Sequence, residues 1–508
     1  MKRALRVVVL LILLGVLVTP GPAPANAAGK TTWTSVVAYF NPNPEPDPLP
    51  PDYTEPVLNV LFLQQGSTSR RELLNDIEIK PYQSGTLLVG NVLRDPNFTG
   101  GAVISATVPV LAVYKQVSTE TKEPYSPILY TSFALSDAGL GTFYLPNVQA
   151  NQAYDTRIGV QNVESLQIEV VLRFYSEDQG EFVTARKPLY NQRTLVINAS
   201  DALKEAYNGA MEQPSLPFRG SLVVQAYRAG NDDPARLVVV AQEIQGGGRR
   251  AYAFEGVNGG ESWVFMPNAM CEMGDNKMSA EMMVRNVGAG DATVWVDYYS
   301  AAGDVVATSP SAVIEPGYNH PFNACDEAVY AQTRGQGLSA VIHSDGEPIA
   351  ALGKVRSDDG LMTAYTGLRM PGSALPGQPY RTVLPYVEWS TKNTGLRTYI
   401  TIMNVSNQPA TDVRVLYYGS GGVLESSHWV ARSDAQPGPL APYARRTSNP
   451  GAARALNPDT NHFAGAVIVE SDQPVVVVAR VQRTVGTGSY STLGDDYNGI
   501  PYAEILED

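Results

Sequence analysis

Few side chains in this sequence are suited to bond-making chemistry. There are four histidines, His320, His343, His428 and His462, and two cysteines, Cys271 and Cys325. No Gly-x-Ser-x-Gly elbow, His-Glu-x-x-His pair or phosphate-binding Gly-x-x-x-x-Gly-Lys-Ser/Thr loop occurs. The histidines lack a mutual metal spacing, so zinc, haem and iron–sulfur sites are hard to assemble, and no cofactor is expected. Oxygen ligands are more plentiful. Three acidic clusters, Asn231-Asp232-Asp233, Asp358-Asp359-Gly360 and Asp495-Asp496-Tyr497-Asn498, carry carboxylates of the kind calcium recruits in sixes to eights. The same residue types make ordinary Asp/Gly turns, and no EF-hand spacing accompanies them. Asp232, Asp233, Asp358, Asp359, Asp495 and Asp496 are therefore calcium candidates weighed against a turn role.

Two further features are specific to one stretch of chain. Cys271 and Cys325 both fall within it, and in an exported protein such a pair is expected to form a disulfide. Closing the loop between them stabilises by about 4 kcal/mol in the chain-entropy treatment. Trp295 and Tyr299 alternate with Val294, Val296 and Tyr298, so they share one face of a strand and are candidates for contact with a ligand such as a sugar ring. The remaining tryptophans, Trp33, Trp263, Trp389 and Trp429, fall at strand starts or loops and form no stripe.

The elements that must position these residues are strands. The chain has 508 residues, 44% hydrophobic and only 17% charged, with 45 glycines and 37 prolines. That is too apolar for a disordered chain and too interrupted for a helical bundle. A net charge of −13 disfavours nucleic acid and anionic lipid as partners. Residues 1–28 combine Lys2, Arg3 and Arg6, an apolar run from Val7 to Val18, and an Ala25-Asn26-Ala27 site, the pattern of a cleaved signal peptide. The apolar run is too short for the ~20 residues of a spanning helix. The expected location is secreted, extracellular or associated with the cell surface, with no membrane span.

One pattern recurs at a nearly constant interval of about 120 residues. Its first marker is an asparagine, at Asn41, Asn162, Asn286 and Asn404. A strand carrying an aromatic pair follows: Phe174-Tyr175, Tyr298-Tyr299, Tyr417-Tyr418 and, more weakly, Phe62-Leu63. Next comes a Gly with an aliphatic run, then a proline opening a second aliphatic run, at Pro109, Pro234, Pro348 and Pro474. Phe254-Glu-Gly256-Val257, Tyr365-Thr-Gly367-Leu368 and Tyr497-Asn-Gly499-Ile500 close the last three copies. Alternation such as Val413, Val415, Tyr417 marks half-buried strands, and Asn and Pro sit where strands must turn. The one helical signal is Ser200 to Ala206.

These observations predict an all-β chain of four tandem antiparallel, immunoglobulin-like β-sandwiches in an elongated array, with beads following one another over about 140 Å. The expected divisions are a signal peptide at 1–28, sandwiches at 29–137, 138–258, 259–372 and 373–508, and a Pro-rich insertion at 41–56 in the first. Residues Leu145-Pro146-Asn147, Thr156-Arg157-Ile158-Gly159-Val160-Gln161-Asn162-Val163 and Ser471-Asp472-Gln473-Pro474-Val475 give the chain its skeleton. In this it resembles secreted bacterial proteins built of tandem immunoglobulin-like repeats. The resemblance implies an extracellular β-sandwich array and brings no catalytic residues. The expectation is a non-catalytic structural or adhesive protein that binds a cell-surface polymer, a protein or itself. The alternatives are carbohydrate binding and filament assembly by strand addition. The first copy has little room for a first strand before Asn41, and residues 501–508 could supply one to a neighbour.

Overall fold

The computed structural model describes residues 8–12, 33–46, 53–65, 70–93, 100–118, 128–131, 133–134, 139–151, 153–176, 178–206, 217–245, 250–374, 376–391, 395–433, 437–484 and 492–503. Residues 47–52 of the Pro-rich run lie outside this set, as does most of the stretch 1–28 expected to be a signal peptide.

Repeat 4 shows the unit. Its seven main strands are Tyr380–Ser390, Arg397–Asn404, Asp412–Gly419, Arg445–Ser448, His462–Ser471, Val475–Thr484 and Thr492–Asn498. One sheet runs first, fifth, third, then the hairpin return Leu424–Arg432. The other runs fourth, second, sixth, seventh. Repeats 2 and 3 keep this order, and the strands among the described residues pair antiparallel, with one isolated parallel bridge between Cys271 and Arg334. Helices among the described residues are short, such as the eight-residue Ala199–Ala206, the segment expected from Ser200 onward.

The sequence markers have the structural roles their chemistry suggested. Each asparagine ends a second strand and staples the neighbouring loops. Asn404 donates from Nδ2 to the carbonyls of Gln408, Leu440 and Ala441 and accepts from the Ser406 N–H at 3.0 Å. Asn162, Asn286 and Asn41 repeat the clamp. Each proline precedes a sixth strand, at Leu111, Arg236, Ile349 and Val475. The glycine of the fifth strand permits close approach to the third: a Cβ on Gly220 or Gly465 would meet the carbonyl oxygen of Tyr175 or Tyr418 at about 2 Å.

The elongated array is not what these sandwiches form. The sheet holding strands one, three and five of each repeat packs on the sheet holding strands two, four and six of the next. Repeat 4 does the same to repeat 1. Between repeats 1 and 2, Val103 and Ile104 share a core with Val238 and Val240. Met283, Leu352 and Ala364 of repeat 3 complete the core of repeat 2. Phe265, Tyr299 and Val341 meet Met403, Val405 and Val476. Leu416, Tyr418, Ala466 and Ile468 close the circuit on Phe40 and Leu111 of repeat 1. The result is a closed ring with pseudo-four-fold symmetry. Its physical cause is that both faces of these sheets are apolar, and a line of beads would leave the outer faces in water.

Polar contacts within the interfaces differ from one to the next. Arg285 is buried between repeats 2 and 3, lying 5.5 Å over the Tyr144 ring and 4.9 Å over Tyr175, and donates to the Ser221 hydroxyl. Its burial without a carboxylate partner pushes its pKa down to about 10. At the closing interface, Lys115 Nζ donates to the Tyr386 hydroxyl at 2.6 Å, and Tyr502 donates to Asn43 Oδ1 at 2.9 Å.

The seventh strands form the hub. Ile128–Thr131, Ala251–Glu255, Met362–Thr366 and Thr492–Asn498 pack in a circuit around the axis. Ile500 and Pro501 pair with Val383 and Thr382 of their own repeat, so this part of the tail completes its own sheet and not a neighbour's.

Candidate functional site

Three strands of repeat 3 place an aromatic row on the ring's surface. Trp263–Met270 pairs with Gly337–Asp345, which pairs with Ala292–Tyr299. The register sets Trp263 opposite His343 and His343 opposite Trp295. Trp295 stacks on the imidazole, with centroids 5.2 Å apart and planes at 11°, while Trp263 meets it edge-on at 4.8 Å. The next row on this face includes Phe265 and Val341, which are sealed against repeat 4. The ladder therefore starts where the interface stops. Trp263 is 48% exposed, Trp295 is half-buried and His343 is buried.

Polar groups flank the rings. Asp297 Oδ2 is 3.0 Å from His343 Nε2, and Asp297 Oδ1 accepts from Thr308 Oγ1 at 2.6 Å. Burial pushes the imidazole below its ordinary pKa, and the Asp297 carboxylate opposes that shift only in part. The arrangement offers an exposed indole face beside a carboxylate and an imidazole, which suits stacking on an apolar ring face while bonding its hydroxyls.

The residues singled out from sequence are divided by the structure. Trp295 is in the row. Tyr299 is only 7% exposed and packs 4.9 Å from Tyr443 of repeat 4, so it is an interface residue and no ligand contact. Trp263 and His343 escape a reading of the sequence because the row joins three strands well separated along the chain, and only the register reveals it. The other described tryptophans with ring contacts are covered by arginines: Trp429 by Arg414 and Arg432, Trp389 by Arg397.

Cys271 and Cys325 form the disulfide, tying the end of the first strand of repeat 3 to the segment before the helix Glu327–Thr333. The acidic pairs are dispersed and hold protein partners. Asp232 pairs with Arg186 at 2.6 Å, and Asp233 accepts from Asn231. Asp358 is exposed, whereas Asp359 accepts from the hydroxyls of Ser357 and Thr492. Asp495 and Asp496 are in the hub strand and not in a turn. Asp496 accepts from Arg480 Nε and Nη2, each at 2.8 Å, and from the Thr363 hydroxyl at 2.9 Å. Among the described residues no three His, Cys, Asp or Glu side chains gather as metal ligands.

A concavity of about 380 Å³ opens where the closing segments of repeats 2 to 4 converge. Gly256, Gly367 and Gly499 line it with Val264, Leu368 and Ile500. Asn498 Nδ2 is bonded there to the Thr366 carbonyl and hydroxyl, and the walls mix aliphatic side chains with Glu255, Glu261 and Arg369. No helix among the described residues is long and apolar enough to cross a membrane.

Comparison with known proteins adds no family. No family model matches the sequence, and no curated protein matches it. Among solved structures, a trypsin-activated alpha-2-macroglobulin from Escherichia coli aligns with 94% of this chain at 9% identity and a TM-score of 0.09. The chain spans 40% of that protein's length.

Proposed function

We propose that this is an exported, non-catalytic adhesive protein whose ligand is carbohydrate, held at the Trp263–His343–Trp295 row. The observation that carries the reading is the exposed indole of Trp263 beside Asp297 and His343, on a surface that the ring leaves uncovered while sealing its neighbours. Exposed tryptophan on a rigid sheet is costly to leave in water, and the disulfide supports an oxidising compartment. Closure of the ring shifts the function away from a length-setting spacer and toward a rigid mount for one surface site. The test is co-sedimentation with insoluble polysaccharides such as chitin, cellulose and peptidoglycan. Trp263→Ala and Trp295→Ala should each weaken binding roughly tenfold or more with the ring still folded. Equal sedimentation by both variants, or none by the parent protein on any polymer, overturns the proposal.

A further inference from the structure

Repeat 1 has a slot for a first strand, and the segment that fills it comes from the apolar N-terminal run. Val8–Ile12 pairs antiparallel with Gly100–Ala106, the fifth strand of repeat 1, and on its other side with Phe133–Ala134. The register is that of the other three repeats. Leu11 lies between Val103 and Phe133. Tyr144 lies between Val223 and Val257 in repeat 2, and Phe265 between Val341 and Leu368 in repeat 3. Val383 lies between Ile468 and Ile500 in repeat 4. Four first strands thus bridge a fifth strand and a closing segment at one equivalent residue.

The difference is in the connection. Repeats 2 to 4 go from that residue to the clamp asparagine by similar lengths of chain, Tyr144 to Asn162, Phe265 to Asn286 and Val383 to Asn404. In repeat 1 the path from Leu11 to Asn41 is about half as long again. The additional length contains Ala25-Asn26-Ala27, the small-residue site expected for leader removal. Cleavage there would take the strand away while leaving the slot's two walls in the folded ring. Those walls would present unpaired ladder groups, the geometry used for strand addition.

We propose that repeat 1 is a strand-accepting domain. Its slot between Gly100–Ala106 and Phe133–Ala134 takes an extended apolar peptide, and its occupant in the uncleaved chain is Val8–Ile12. The N-terminal run then has two roles in succession, as an export signal and as a placeholder that keeps this edge from pairing with other chains. This reading is independent of the aromatic row, and polysaccharide sedimentation of the same preparations reports on that row separately.

The first test uses the full chain, made without processing. Hydrogen exchange at Gly100–Ala106 should quicken at least tenfold in Leu10→Pro, because proline removes a ladder donor and forbids continuous pairing. Unchanged protection overturns the proposal. The second uses residues 29–508 with a fluorescent, lysine-flanked Val7–Leu14 peptide. The peptide should bind this shortened chain at least tenfold more tightly than the full chain and raise its Tm, and a Leu10→Pro peptide should do neither. Equal binding to both chains, or none to the shortened one when it is folded, overturns the proposal. If the shortened chain does not fold, the exchange measurement on the full chain decides.

Discussion

Asp495 of repeat 4 accepts the main-chain N–H of Ala253 in repeat 2 at 2.9 Å, and its other oxygen accepts that of Ala364 in repeat 3 at 3.4 Å. One carboxylate, fully buried on the axis, thereby joins three repeats. The relationship across the ring follows from the convergence of the seventh strands, which brings repeats 2 and 4, not neighbours around the ring, within hydrogen-bond reach.

Removing that carboxylate should loosen the whole ring. Asp495→Ala leaves the buried N–H groups of Ala253 and Ala364, and that of the adjacent Asp496, without this acceptor, and each such loss costs about 1–3 kcal/mol. The expected outcome in denaturant unfolding is a loss of about 2–4 kcal/mol, with Asp495→Asn intermediate because it retains an acceptor oxygen. A loss no larger than the about 0.5 kcal/mol of an ordinary surface substitution would mean that the hub contributes nothing to closure.

The asparagine clamp makes an independent prediction. Asn404→Ala deprives three carbonyls and the Ser406 N–H of their partner, and should cost about 2–4 kcal/mol. Asn404→Asp should be no milder, because its carboxylate would face the carbonyls that the amide now satisfies. Thermal unfolding of both variants beside the parent protein checks the order.

Alkali should open the interfaces. Burial pushes Tyr299 and Tyr418 up to about 12, with neighbouring Asp297 and Tyr82 adding to the respective shifts. Both tyrosines are at inter-repeat contacts, Tyr418 stacked 4.6 Å from Tyr82 of repeat 1. In the unfolded chain they ionise near 10, so above that pH the native state holds more protons than the unfolded one, and stability falls with rising pH. The contribution is fully present below pH 10 and is lost as pH rises through about 12. A plot of Tm against pH should turn down in this window, and less steeply in a Tyr299→Phe, Tyr418→Phe double variant. An identical slope in that variant would assign the alkaline loss to other groups.

The repeat, its strands, its turn residues and the cysteine bridge are legible in the sequence because each copy states its scaffold in the same residue types and the cysteines fall within one copy. Ring closure is harder to read because the interface position is chemically different every time: Phe40, Gln161, Arg285 and Met403 occupy the same place before the asparagine, all buried. A signal is nevertheless present. Val475-Val476-Val477-Val478 is apolar without alternation, and an unbroken run belongs to a strand covered on both faces. Asp495 and Asp496 read as a turn because acidic pairs usually mark solvent. In the hub, Arg480 and the backbone donors of other repeats replace water. The aromatic row needs the pairing register of three strands, which composition does not carry.

Circular closure also fixes the copy number. An open stack of sandwiches can be lengthened or shortened by one unit, with the cost confined to a single junction. Here the faces of repeats 4 and 1 are matched to each other, and the axis is sized for four seventh strands. Duplicating or deleting one unit would unseat every junction at once, so change in such a protein should proceed by substitution within repeats and by loop growth at the rim.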